Sequence, residues 1–180
     1  MDTPHNIGFA VIDELAERFA LNLRRSLRFR ARLANGNIEG VQVTLVKPTT
    51  FMNMSGTVVA ALIRNKCFSA QDLIVITDDA NLPKGQLRIR PKGSSGGHKG
   101  LQSIIHNLGY DRFARLRLGI GQAGNGSNLM EHVLMPFPSA VRGKIENMIG
   151  KAADAVVFWL KNGAEAAMNM FNKPTEEDIL

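Results

Sequence analysis

Alternating helical and strand periods with no domain-breaking linker predict a single α/β domain, one mixed twisted sheet covered by helices on both faces. Three observations carry that expectation. Apolar residues recur at helical spacing near the N-terminus, in Ile7, Val11, Ile12, Leu15 and Phe19. Residues 73–77 (L-I-V-I-T) form the short β-branched run of a buried strand. Near the C-terminus, Ile145, Met148, Ile149, Ala152, Val156 and Trp159 mark one face of a long amphipathic helix.

Taken in order, the first helix has Asn6 as its expected N-cap and Asp13, Glu14, Glu17 and Arg18 on its outer face. Residues 27–34 and 41–46 alternate around Asn35-Gly36-Asn37, which predicts a hairpin turning there. Pro48 stops the second strand, and a helix is expected over 58–63. After the 73–77 strand, a turn at 81–85 leads into an alternating strand at 86–90. A Gly/Ser-rich stretch, 93–100, precedes a helix through Leu101, Ile104, Ile105 and Leu108. Residues 116–120 read as a strand, 121–128 as a mobile loop and 139–161 as the long helix. The domain is expected to span 1–172, with 173–180 a frayed acidic tail.

Composition excludes several classes. The 180 residues are 44% hydrophobic and 21% charged, close to globular averages, which excludes a disordered or collagen-like chain. A lone cysteine, Cys67, excludes an internal disulfide and a cysteine-rich zinc module. Residues 1–20 lack a basic segment leading into an apolar one, so no secretory signal is read. Apolar runs such as 155–160 fall far short of the ~20 residues a membrane span needs. The expectation is a soluble, cytoplasmic protein. Its net charge of +6 favours polyanionic partners.

Five places could carry chemistry. His5, in Thr3-Pro4-His5-Asn6, precedes a helix whose positive end disfavours imidazolium and suits a general base; from the residues alone the favoured reading is a surface histidine beside a cap. In Phe51-Met52-Asn53-Met54-Ser55-Gly56, at a strand-to-helix junction, the Asn53 amide could position water or a carbonyl. Alternatively, Asn53 or Ser55 caps the helix while Phe51 and Met52 fill core. Asp78 and Asp79 follow the buried strand, where open α/β sheets place ligands. One of them could orient a histidine as a triad acid does, or both could be turn residues; scattered histidines do not support a metal site. Gly93-Ser94-Ser95-Gly96-Gly97-His98-Lys99-Gly100 could bring backbone N–H groups to a phosphate, or merely link two elements.

The fifth place is a basic stretch. Residues 85–120 hold Arg88, Arg90, Lys92, Lys99, Arg112, Arg115 and Arg117 against Asp111 alone, so this segment matches the net charge of the whole chain. A second cluster, Arg24, Arg25, Arg28, Arg30 and Arg32, lies on the first hairpin. Such patches fit phosphate contacts, although solvated strand edges also carry arginine. Aromatic content of 6% argues against a stacking platform for single strands.

Read together, P-H-N-I-G-F, K-P-T-T-F-M-N-M-S-G, I-T-D-D, G-S-S-G-G-H-K-G-L and F-x-R-L-R-L-G-I-G resemble bacterial peptidyl-tRNA hydrolase, in order, from His5 through Trp159. The resemblance implies that fold and an enzyme cleaving the ester between a peptide and the 3′-terminal ribose of tRNA, as a monomer, with no metal or organic cofactor and no membrane association. It implies that His5 is the general base, Asp78 the acid holding that imidazole, and Asn53 a donor near the scissile bond. Phe51, Asn53, Lys99, Arg90 and Arg117 fall at tRNA-contact positions, the last two at the 5′-phosphate clamp. Met52, Gly97 and His98 fall on the peptide side of the cleft. Two features depart from the family pattern. Lys99 stands where the family has asparagine, and the strand and G-x-G-N-P-G loop that the family carries before its T-x-H-N motif do not precede His5 here. The expectation is a chain that starts at an internal site relative to its natural product. Absence of that interior strand is expected to leave unpaired edges on its neighbours and to open one core wall. A non-catalytic RNA-binding protein on the same scaffold and a truncated inactive copy are the competing readings.

Overall fold

Two helices, α1 (Ile7–Arg18) and α4 (Arg142–Phe171), supply most of the apolar wall against which the strands pack. Residues 6–121 and 142–173 are described in this computed structural model. The first strands are β1 (Arg24–Ser26), β2 (Ala31–Ile38) and β3 (Val41–Pro48). A 3₁₀ turn (Met52–Met54) then enters α2 (Ser55–Lys66). They are followed by β4 (Ile74–Asp79), β5 (Leu87–Arg90), α3 (Lys99–Leu108) and β6 (Ala114–Gly119).

The α/β class holds, and its helices lie on both faces. The strands form two sheets, β1-β2-β3, all antiparallel, and β4-β6-β5, in which β4 runs parallel and β5 antiparallel to β6. One buried cluster joins Val11 and Leu15 of α1, Met148 and Trp159 of α4, Ile38 of the first sheet and Leu116 of the second. On the other face, α2 covers the first sheet through Val58 and Leu62 against Ala31, while α3 covers the second through Leu101 and Ile104 beside Phe113.

Among the described residues no ladder joins β3 and β4, and a cavity of about 980 Å³ opens between them, lined by Val43, Leu45, Ile74 and Ile76. The apolar run of β4 is therefore only half-buried at Ile74, Val75 and Ile76. Helix α1 spans the gap. Lys47 Nζ of β3 donates to both Asp13 carboxylate oxygens at 2.6 Å, and Gly8 lies so close to β4 that a Cβ there would sit 2.5 Å from the Ile76 carbonyl oxygen.

Three expectations need correction. The first hairpin does not turn at Asn35-Gly36-Asn37, because these residues stay in the ladder opposite Thr44, Val43 and Gln42. Gly36 gives up its side chain to make room for Leu21, whose Cδ2 would stand 2.2 Å from a Cβ. The turn falls at Glu39 and Gly40, with φ of 51° and 90°, the paired positive values of a tight hairpin. Residues 27–30 are a turn between β1 and β2, not strand, since Arg30 enters the left-handed region at φ 50°. Asn6 sits at the N-cap position of α1 with φ −94° and ψ 2°, and its side chain makes no capping hydrogen bond.

The inward face expected of α4 is buried at all six positions, but the helix runs on past 161 to Phe171 through a break at Gly163 (φ 78°, ψ 177°). Beyond it, the Asn172 amide clasps Ile89 on β5, accepting from Ile89 N at 2.6 Å and donating to its carbonyl at 3.0 Å. The loop expected at 121–128 and the tail at 173–180 fall almost wholly outside the described residues, as does His5.

Candidate active site

The carboxyl end of β4 delivers Asp78 and Asp79 to opposite sides, as strand alternation requires. Asp78, 8% exposed, faces the N-terminus of α3, where its Oδ1 lies 3.3 Å from His98 Nε2. His98 is the N-cap of that helix: its Nδ1 accepts from Gly100 N at 3.1 Å and Leu101 N at 3.2 Å. Two donors on Nδ1 require that nitrogen to be unprotonated, which puts the ring proton on Nε2, facing Asp78. In this arrangement both ring nitrogens are engaged, which fixes the orientation of the His98 ring.

Asp79 meets Arg117, whose Nη1 donates to Oδ2 at 2.9 Å and whose Nη2 reaches the Ser94 carbonyl at 3.0 Å. Arg117 is thus tied down beneath the Gly/Ser-rich loop, its side chain 18% exposed. Its neighbour Arg115 is 1% exposed and donates to the carbonyls of Gly93, Ser94 (3.3 Å), Asp111 (2.6 Å) and Phe113 (3.1 Å). The guanidinium also lies 4.5 Å from the Phe113 ring centroid. Burial, then the nearby Arg117 charge, pulls its pKa below the ordinary arginine value. Register sets Arg88 opposite Arg117 and Arg90 opposite Arg115, so four arginines share one face of the sheet. Of the two expected phosphate contacts, Arg90 is exposed and Arg117 is held in an ion pair.

The Phe-Met-Asn segment borders the same cleft. Phe51 is 81% exposed and Asn53 is exposed, so neither fills core. Asn53 is not the cap of α2, since Met54 holds that position, and Ser55 Oγ donates backwards to the Met52 carbonyl at 2.9 Å. Met52 is half-buried on Gly100, where a Cβ would meet its sulfur at 2.5 Å. Gly56 N donates to Ser103 Oγ at 3.0 Å, and a Cβ at Gly56 would stand 2.0 Å from the Ser103 carbonyl oxygen. These two close approaches dock the segment on α3, beside His98. Gly97, φ 84°, is exposed in the turn closed by His98 N on the Ser95 carbonyl at 3.1 Å; Lys99 is the exposed first residue of α3.

The structure therefore gathers Asp78, His98, Met52 and Gly100 around the mouth of the inter-sheet cavity, which all four line. Sequence reasoning missed that His98 bridges the α3 N-terminus to Asp78, and that Arg115 and Asp79 brace the loop and Arg117. A histidine directly before an apolar-periodic helix was the one available signal. Among the described residues no three His, Cys, Asp or Glu side chains group to hold a metal ion. No helix there is long and apolar enough to cross a membrane.

The family profile of peptidyl-tRNA hydrolase matches residues 1–178. The peptidyl-tRNA hydrolase of Brevibacillus brevis is 42% identical over 171 residues, covering 95% of this chain and 90% of that protein. That of Clostridium perfringens is 44% identical over 170 residues, covering 94% and 89%. Among solved structures, a peptidyl-tRNA hydrolase in complex with N-propanol superposes with a TM-score of 0.90 at 30% identity, covering 97% of this chain and 89% of the other. The Acinetobacter baumannii enzyme gives 0.89 at 31% identity, covering 95% and 87%. A profile that matches almost the whole chain, relatives above 40% identity over most of their length, and a shared fold together make this chain a member of the peptidyl-tRNA hydrolase family.

Proposed function

We propose that the chain hydrolyses the ester joining a peptide to the 3′-terminal ribose of tRNA, in the cytoplasm and as a monomer. The observation that carries this reading is the buried Asp78 carboxylate, held by His98 in a cleft that Met52 also lines, with the neighbouring Phe51 and Asn53 side chains exposed. His5, at the position the family resemblance assigns to the base, takes the role of general base, with Asp78 steadying its imidazole. His5 removes a proton from water as the oxygen attacks the ester carbonyl. The Asn53 amide donates to the oxyanion that forms. Collapse of the tetrahedral intermediate breaks the bond to the ribose 3′-oxygen, and the His5 imidazolium protonates that leaving oxygen. The products are a peptide carboxylate and tRNA with a free 3′-terminal hydroxyl. Phe51, Lys99, Arg90 and Arg117 contact tRNA, while Met52, Gly97 and His98 line the peptide side.

The test is release of N-acyl amino acid from N-acyl-aminoacyl-tRNA by this chain and by His5→Ala and Asn53→Ala. Loss of roughly 10²–10⁴-fold in kcat is expected for His5→Ala. Full activity in that variant refutes the assignment of the base. Tight tRNA binding without release above the uncatalysed rate favours instead a non-catalytic RNA-binding protein, to which the exposed Arg88 and Arg90 would be equally suited.

A further inference from the structure

The first hairpin carries charge that the reaction scheme leaves unused. Arg24, Arg25, Arg28, Arg30 and Arg32 are all exposed, and no acidic residue occurs from 21 to 38. Among the described residues none of the five makes a carboxylate ion pair: Arg32 donates to the Leu23 carbonyl at 3.2 Å, and Arg28 lies 5.1 Å from the Phe29 ring centroid. Register sets Arg25 directly opposite Arg32, a like-charge cross-strand pair, which costs stability in the free protein. Arg28 and Phe29 also meet Arg64 of α2 across an open pocket of about 360 Å³ that Ala61 and Asn65 complete. Folding alone gives no reason to gather these charges.

Their position gives one. The Thr49 amide donates to the Arg30 carbonyl at 2.9 Å, and Ala31 pairs with Pro48, so the basic turn runs alongside the segment that leads into Phe51 and Asn53. On its other flank that segment rests on Gly100, next to Lys99. The Phe-Met-Asn segment is thus bordered by cations on two sides.

We infer that the turn from Arg24 to Arg32, with Arg64, is a second docking surface for the phosphodiester backbone of the tRNA body, apart from the arginine face of β5 and β6. Guanidinium groups pair bidentately with phosphate, and one between Arg25 and Arg32 removes their repulsion. The patch has only the half-buried Phe29 as an aromatic, so it holds backbone and does not stack bases. This inference rests on the peptidyl-tRNA reading for the identity of the RNA.

The experiment compares the full chain with Arg24→Gln/Arg25→Gln/Arg28→Gln by tRNA binding across 50–300 mM salt, together with hydrolysis of two substrates. One is N-acyl-aminoacyl-tRNA; the other carries the same ester on a short single-stranded oligonucleotide. Each phosphate contact removed lowers the slope of log K against log salt by about 1, so a reduction of 2–3 is expected. KM for the whole tRNA should rise at least tenfold with kcat unchanged, while kcat/KM for the short substrate stays within twofold. Thermal midpoint is the folding control and should stay level or rise as like charges are removed. An unchanged slope and KM overturn the inference. So does binding to phosphatidylserine vesicles that the substitutions abolish while tRNA binding stays the same, which would assign the patch to an anionic membrane surface. If the parent chain hydrolyses neither substrate, the functional proposal fails, and the salt slope still decides the docking surface.

Discussion

Replacing His98 tests whether one side chain joins helix capping to placement of Asp78. His98→Ala removes the acceptor for two amides at the start of α3, a loss of about 0.5–2 kcal/mol for an N-cap. It also removes a hydrogen bond to a carboxylate 8% exposed, a class of contact contributing about 1.5–3 kcal/mol; at 3.3 Å the lower end applies. The sum is roughly 2–4 kcal/mol, or a thermal midpoint lower by about 5–12 °C for a chain of this length. His98→Asn separates the two roles. Asparagine is a strong N-cap, so it should recover about 1 kcal/mol, but it is too short to reach Asp78. Chemical denaturation of the three proteins measures the difference, and kcat for N-acyl-aminoacyl-tRNA reads the second role. Both variants should share one loss in kcat while differing in stability. Stability of His98→Ala within 0.5 kcal/mol of the parent, or an asparagine variant no more stable than the alanine one, refutes the reasoning.

Other outcomes follow from the same geometry. Arg90→Gln and Arg117→Gln should each lower the salt slope of tRNA binding by about 1, and Arg117→Gln should in addition lower stability by about 1–3 kcal/mol, since Arg117 is tied to Asp79 and Ser94. Comparing unfolding and binding of the two variants checks this. Asn172→Ala should cost about 1–3 kcal/mol and speed hydrogen exchange at the Ile89 amide, the group it leaves unpaired. Arg115→Met should expose the carbonyls of Gly93 and Ser94 to loop motion, seen as faster proteolysis of 93–100. The Asp72 carboxyl sits below the ordinary carboxylate value because the Ser69 hydroxyl, then the Ser69 amide, donate to it. Its contribution to stability is therefore complete above the unfolded pKa and lost as pH falls through the lower folded one. Asp72→Asn should flatten the acid limb of the stability–pH curve, measured by urea unfolding from pH 5 downwards.

Local patterns were readable wherever they reported on the chain's own period. The L-I-V-I-T run, the apolar face from Ile145 to Trp159 and the Gly/Ser loop before Leu101 each name their element without help from the rest of the fold. The first hairpin misled because Asn35-Gly36-Asn37 is a strong turn signal, yet Gly36 answers to a distant neighbour, Leu21, through side-chain volume. Arg24-Arg25-Ser26 has no apolar alternation, so β1 gave no signal; it exists because β2 offers it a ladder. At the site, Asp78 and Asn53 were legible as chemistry in suitable places. That His98 takes up Asp78, and Asp79 takes up Arg117, depends on parallel register between β4 and β6 and on the loop folding back, which sequence spacing does not encode.

Among the described residues β3 and β4 share no ladder, and α1 is what joins the two sheets there. Where a ladder would fix their separation in steps of backbone hydrogen bonds, here α1 serves as a strut. It is pinned to one sheet by Asp13 and Lys47 and braced on the other by the bare backbone of Gly8 against Ile76. Such a strut sets a length. Any side chain at position 8 must push β4 outward, and Asp78 lies only two residues further along that strand. The position of the Asp78 carboxylate thus depends on the missing methyl group of Gly8, on a helix that leans on the strand two residues back.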